Sequence, residues 1–363
     1  MNNLKVFIKK IYFAIQDIYG LLLAFKQIAI KKDYPLLSTF IDFWKCHRNN
    51  KLSLSEYFNY KFNNCNADFR ESFLPYDKAR EYWQVLNPLK YSVLARDKFV
   101  SHCLFNQIGI RSSDLYFVYN PEIIGNVNTI QINSKEQVIE KIKRLKIRQF
   151  VAKPSADSAH GIGVKVCDVS DFEEFGGLVP LDTVFADGTT LFESVIIQTK
   201  QMASLNPSSV NTVRIMTALY PNQEVKMLAA FIKIGRAGSC VDNAGSGGNV
   251  DCAVDCNTGR LYNALQFNSW EDVISIEKHP DSGIQLNGMI IEHWDEIKTK
   301  VMSWQSQIPY LKTIGWDVAL TDDGPVVVEI NNWWDTTGQL FLGKGWAPLV
   351  KDCYDAWVKY YNK

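Results

Sequence analysis

Acids and amides recur at a two-residue spacing near the end of the chain. There Val326-Val327-Val328-Glu329-Ile330-Asn331 follows Gly315-Trp316-Asp317-Val318-Ala319-Leu320 across an Asp322-Asp323-Gly324-Pro325 turn. Side chains two apart on a strand share a face, so Glu329 and Asn331 point the same way. If Asp317 on the partner strand joins them, three hard oxygen donors converge, a set that suits Mg²⁺ shared with nucleotide phosphates. The plain alternative is an edge hairpin with solvated acids. Upstream, Arg214 stands inside the apolar run Val210–Leu219. A guanidinium there is costly unless an anion meets it, whether a bound anion or a carboxylate in a structural pair. Two loops of small residues offer backbone amides. Ser155-Ala156-Asp157-Ser158-Ala159-His160-Gly161-Ile162-Gly163 has the composition of a flap over phosphates. The stretch from Gly235 to Asn249 carries Arg236, Asn243 and Asn249, and reads either as a substrate-facing platform or as a flexible connection.

These groups need strands to hold them, and the chain supplies the pattern. The two apolar runs around the Asp-Asp-Gly-Pro turn predict a hairpin. Phe150–Pro154 predicts a strand entering the small-residue loop, and Val164–Val166 a strand leaving it. Thr190–Gln198 reads as an apolar strand with one buried acid, Glu193, and Val225–Ile234 as a further strand. Helices are expected from Asp97 to a stop at Gly109, over Lys135–Leu145, over Trp294–Trp304, and over Trp346–Tyr361. Residues 33–95 read as helical and rich in aromatics, with Ser53 and Glu56 spaced for a capping box.

Composition narrows the classes. A chain of 363 residues with 47% hydrophobic and 21% charged side chains fits a globular protein of two or three lobes. Lys+Arg and Asp+Glu balance at 39 each, and no basic stripe interleaved with aromatics lies beyond the N-terminus, which excludes a nucleic-acid binder. The eight cysteines are scattered without a Cys-x-x-Cys pair, as expected of free thiols in a reducing compartment. Residues 1–32 alone are lopsided, with six lysines against Asp17. Their apolar spans are too short to cross a bilayer. They read as a basic amphipathic helix on an anionic membrane surface, or as a helix packed on the protein with its lysines solvated.

The order of these pieces resembles the ATP-grasp superfamily: a helix-borne Lys98, the strand-borne Lys153 before a flap, the acid-bearing strand, the Arg214 strand and the Asp…Glu-x-Asn hairpin. The wording Lys153-Pro154-Ser155, Leu205-Asn206-Pro207-Ser208-Ser209-Val210-Asn211-Thr212-Val213-Arg214-Ile215, Gly247-Gly248-Asn249 and Val328-Glu329-Ile330-Asn331 is similar to the sugar-transfer-associated ATP-grasp group of bacterial surface-polysaccharide synthesis. The resemblance covers about residues 90–340.

It implies an α+β ATP-grasp fold, two lobes gripping ATP. A helical region over 1–90 precedes a first lobe over 91–196 with the phosphate flap, and a second over 197–363 with the metal hairpin. Lys98 and Lys153 would contact phosphates, with Ser155, Ser158, His160, Gly161 and Gly163 closing over them. Glu193, Val195 and Gln198 would hold the adenine and ribose; Gln198 stands where many members carry an acid, and His160 where Gly or a basic residue is usual. Asp317, Glu329 and Asn331 would bind Mg²⁺. Arg214, Arg236 and Asn249 would act on the transferred group and the oxyanion, with Asn211, Asn243 and Gly248 on the substrate. The implied activity is an ATP- and Mg²⁺-dependent carboxylate–amine ligase using a small-molecule or glycan acceptor, in the cytoplasm or at the inner face of the membrane. A kinase acting on a sugar or other small acceptor, and a non-enzymatic nucleotide-binding scaffold, are the alternatives.

Overall fold

The computed structural model describes residues 19–122, 130–156, 161–239, 242, 247–269 and 272–362. They divide into two compact units: the chain up to Glu81 with Gly343–Pro348, and Tyr82–Leu342 with the residues from Leu349 onward. Ser158, His160 and Asn243, and most of the basic segment 1–32, lie outside the described residues.

The first unit is helical. Helices α1 (19–31), α2 (Leu36–Asn50), α3 (Leu54–Asn59) and α4 (Ala67–Ser72) bury an aromatic core, and α5 (Tyr76–Leu86) starts in the same unit. The Phe25 ring meets those of Phe40, Phe43 and Phe58 at 5.2, 6.1 and 5.7 Å between centroids. The capping box closes at α3, where the Ser53 hydroxyl accepts from Glu56 N and the Glu56 carboxylate accepts from Ser53 N.

In the second unit, α6 (Val93–Arg96) and α7 (Lys98–Ile108) lead into two sheets. Strands β1 (Leu115–Tyr119), β2 (Gln131–Ile132), β3 (Gln149–Pro154), β4 (Lys165–Asp168) and β5 (Thr190–Glu193) lie in the order β2-β1-β5-β3-β4. Helix α8 (Lys135–Leu145) sets Val138 and Ile142 against Phe117, Phe150 and Phe192. Alternation then turns Lys153 and Glu193 to the opposite face. The expected strand over 190–198 stops at Glu193. Ser194 N donates to Asp114 O, and the chain departs toward α9 (Lys200–Leu205), capped by Thr199.

The second sheet has seven strands, every neighbouring pair antiparallel. Its members are β6 (Thr212–Leu219), β7 (Val225–Ile234), β8 (Val250–Val254), β9 (Leu261–Phe267), β10 (Val273–Ser275), β11 (Thr313–Thr321) and β12 (Gly324–Asn331), ordered β10-β9-β8-β7-β6-β11-β12. One face packs Ile215, Ile232, Ile314 and Val318 against Ile297, Val301 and Trp304 of α10 (Trp294–Gln307). At the far end of the other face, α11 (Gly338–Leu342) packs Phe341 on Phe231 and Phe267. Helix α12 (Ala347–Tyr361) ends the chain, and its Trp357 indole donates to Leu219 O. Two ties hold the site-bearing strands β11 and β12 to the segments before the first sheet. Val327 N donates to Arg111 O, so the segment after α7 runs along the β12 edge. Asn87, fully buried, accepts from Lys312 N and Thr313 N and donates to Thr313 O, fixing the start of β11.

Candidate active site

Helix α7 carries Lys98, His102 and Phe105 at i, i+4 and i+7, one face of a helix. Asp97 caps it, accepting from Phe99 N and Val100 N at 2.9 and 3.1 Å. Ser155 at the end of β3 braces that cap: its hydroxyl donates to Asp97 Oδ1 at 2.7 Å and its carbonyl accepts from Lys98 N. The predicted flap residue Ser155 is therefore buried and joins the flap's root to the helix that bears Lys98. The α7 face, Lys153 of β3, and Val327, Glu329 and Ile330 of β12 line one narrow cleft. Lys98 Nζ lies 3.9 Å from Glu329 Oε1.

Behind the cleft stands a buried polar cluster. Glu193 accepts from Lys153 Nζ at 2.7 Å and Ser113 Oγ at 2.7 Å, and its other oxygen is 3.1 Å from His102 Nε2. Burial alone would push this carboxyl up, but Lys153 and His102 overcome it and hold it at about 2. Glu193 thus anchors Lys153 from within. Val195, the next predicted nucleotide contact, lies on irregular backbone whose N–H and C=O make no hydrogen bond to other described residues. Gln198 accepts from Asn211 N and donates to Ser209 O and Asn206 O, while Asn211 donates to Met202 O and Asn206 O. These two predicted ligand contacts form a buried amide knot between α9 and β6.

On the second sheet, register aligns Glu329, Asp317 and Arg214 across β12, β11 and β6. A bulge leaves Val328 unopposed between Asp317 and Val318, next to Glu329. Arg214 grips Asp317 bidentately at 2.6 and 2.8 Å, and Lys233 Nζ adds a third contact at 3.1 Å. Gly315 leaves room for that grip, since a Cβ there would lie 3.4 Å from Arg214 Cδ and 3.0 Å from Trp334 Cβ. Desolvation would raise the Asp317 carboxyl; Arg214 and Lys233 instead hold it well below the usual carboxylate range. Asn331 Nδ2 reaches Asp317 Oδ2 at 3.4 Å, so the three predicted metal donors share one patch. The fit to a divalent cation is specific: both Asp317 oxygens accept from Arg214, leaving Glu329 and the Asn331 carbonyl oxygen as the open donors. Such a set needs phosphate oxygens to complete an octahedron.

Arg236, expected at the substrate, is held bidentately by Asp281 at 2.7 and 2.8 Å, and its backbone N donates to Asn249 Oδ1. Gly248 lets this guanidinium approach, because a Cβ there would sit 2.7 Å from Arg236 Nη1. Of the flap, Gly161 and Gly163 both adopt positive φ, +70° and +81°, and a Cβ on Gly163 would reach 2.8 Å from Pro154 Cγ.

Sequence reasoning did not single out His102, Ser113, Lys233, Asp242 or Asp251. Lys233 carried the signal that marked Arg214, a cation inside an apolar strand. Its register partner Asp251 is fully buried with neither carboxylate oxygen hydrogen-bonded, and burial raises its carboxyl far above the usual range. His102 lies one turn from Lys98 on the same face.

No curated protein matches the chain. Among solved structures, D-alanine–D-alanine ligase from Bacillus anthracis shares 16% identity over 74% of this chain and 68% of its own, with a TM-score of 0.39. N5-carboxyaminoimidazole ribonucleotide synthetase from Thermotoga maritima shares 11% over 78% and 56%, with a TM-score of 0.42. The biotin carboxylase domain of the Hydrogenobacter thermophilus 2-oxoglutarate carboxylase, solved with MgADP, shares 11% over 77% and 51%, with a TM-score of 0.45. The model of one family matches residues 77–353, which contain the cleft, the Lys153–Glu193 cluster and the Asp317 patch, and the chain belongs to that family, the sugar-transfer associated ATP-grasp proteins.

Proposed function

We propose that the protein is an ATP- and Mg²⁺-dependent carboxylate–amine ligase that acts through an acyl phosphate on a sugar acid or amino acid in surface-polysaccharide synthesis. The observation that carries this reading is the meeting of Lys98, Lys153 and Glu329 in one cleft beside the Asp317 patch.

Each group has a role in this scheme. Lys153, aimed by Glu193, and Lys98, held by the Asp97–Ser155 brace, meet phosphate oxygens as cationic donors. The unbonded backbone of Val195 suits the adenine edge. Gly161 and Gly163 give the flap its turn over the phosphates. Glu329 and the Asn331 carbonyl oxygen, with Asp317 held beside them, would bind Mg²⁺, which when bound withdraws charge from the phosphoryl group in transfer. Arg214 fixes the Asp317 carboxylate beside that group.

The acceptor's carboxylate oxygen forms a bond to the γ phosphorus as the bond to the ADP oxygen breaks. The amine then adds to the acyl carbon, inorganic phosphate leaves, and the amine gives up a proton. Arg236 and Gly248 would border the acceptor side of this scheme, with Asn249 and Asn211 buried behind them. Incubation with ATP, Mg²⁺, candidate acids and hydroxylamine tests it: a hydroxamate with stoichiometric ADP is expected. ADP release with a stable phosphorylated product, and no hydroxamate, would overturn the ligase in favour of a kinase.

A further inference from the structure

Helices α1 and α2 each carry two apolar stripes where one would suffice for packing. Phe25 and Ala29 of α1 and Thr39 and Phe43 of α2 face the aromatic core. On the far side of α1, Tyr19, Leu22, Leu23 and Ile30 recur at helical spacing and are exposed; on α2 the exposed set is Leu37, Ile41 and Trp44, and Arg48 ends the stripe. Tyr19 is 64% exposed and Leu37 75%. The charges beside these stripes are of one sign. Lys26, Lys31, Lys45 and Arg48 are exposed, whereas Asp42 is turned inward onto Tyr57 and Arg70, leaving Asp33 as the exposed carboxylate of 19–50. Over residues 1–50 the sequence has eight Lys or Arg against three Asp, in a chain that balances at 39 each.

We propose that the outward faces of α1 and α2 dock this protein on an anionic lipid bilayer. Leu, Ile, Tyr and Trp would sit at the headgroup–acyl boundary, and the lysines and arginine would meet lipid phosphates. Among the described residues no helix is long and apolar enough to cross a membrane, and apolar stripes confined to one side of α1 and α2 suit helices lying on a surface. The sign of the charge selects lipid over a second copy of the chain, since an isologous pairing would bring two basic faces together. This inference does not depend on the ligase reading. It adds a location in which a lipid-linked acceptor would be within reach.

Flotation of the full chain with vesicles of phosphatidylcholine, with and without about one third phosphatidylglycerol, tests the docking. Binding is expected with the anionic vesicles, weak with the neutral ones, and lost at high salt. Leu37→Asp with Ile41→Asp, and separately Lys26→Glu with Arg48→Glu, should each lower partitioning roughly ten-fold or more, while circular dichroism and ATP turnover stay unchanged. Equal recovery with both vesicle types, or with neither, would overturn the proposal. So would a dimer in solution that Leu37→Asp/Ile41→Asp dissociates, which would assign the stripes to a second copy.

Discussion

Lys153 and Glu193 show how a buried pair fixes a cation at the wall of a cleft. Removing the lysine leaves Glu193 buried with His102 and Ser113 as its remaining partners. Lys153→Met should therefore destabilise by about 3 kcal/mol and abolish ATP turnover. Lys153→Met/Glu193→Gln should recover most of the stability and none of the turnover, which thermal melts and an ADP-release assay would separate. Asp251 has the opposite character. Its carboxyl is pushed up by burial and receives no hydrogen bond. Asp251→Asn should therefore keep or raise the melting temperature at neutral pH, by the equivalent of about 1 kcal/mol; a clear loss would mean that the carboxylate is needed. Glu193 was visible in the sequence as a lone acid in an apolar strand. Its partners were not, because residues 102, 113 and 153 come from three other segments and only the fold brings them to it.

The hairpin β11–β12 and the helix α7 were the most legible elements. The Asp322-Asp323-Gly324 turn has the positive φ of +104° at Gly324 that such a turn needs, and α7 stops at Gly109 with φ +71°. Both signals are local, so the sequence suffices. The end of β5 was not legible: Ser194–Gln198 is apolar enough for a strand, yet the chain leaves the first sheet there for the second. The brace at the head of α7 was also hidden, since Asp97 and Ser155 are far apart in sequence. Asp97→Ala removes a cap accepting two backbone N–H groups and the Ser155 hydroxyl. It should cost about 1–2 kcal/mol and raise the KM for ATP several-fold by loosening Lys98, with nucleotide titrations of turnover as the check. Gly163→Ala should likewise raise that KM, because the position combines positive φ with a 2.8 Å approach to Pro154.

At the scale of the whole molecule, a cluster of charge faces inward that the composition conceals. A balanced chain hides Arg214, Lys233, Asp242, Asp251 and Asp317 packed on one face of one sheet. This arrangement fixes how stability responds to acid. Glu193 is held at about 2 against an ordinary 4.5, so its stabilisation is complete above the ordinary value and is lost as pH falls from there toward 2. Asp317 is lowered as well and acts in the same sense. Melting temperature should fall steeply across that window, and Glu193→Gln should flatten the fall. The central claim is that Lys98, Lys153 and Glu329 form a nucleotide site in which the metal is bound through phosphate. Calorimetric titration of the purified chain with a non-hydrolysable ATP analogue, with Mg²⁺ and with both tests it most directly. Little heat is expected from Mg²⁺ alone, with saturable binding of the analogue in the presence of Mg²⁺ and a loss of about 100-fold or more in affinity in Glu329→Gln. Tight Mg²⁺ binding without nucleotide, or analogue binding that Glu329→Gln leaves unchanged, would contradict it.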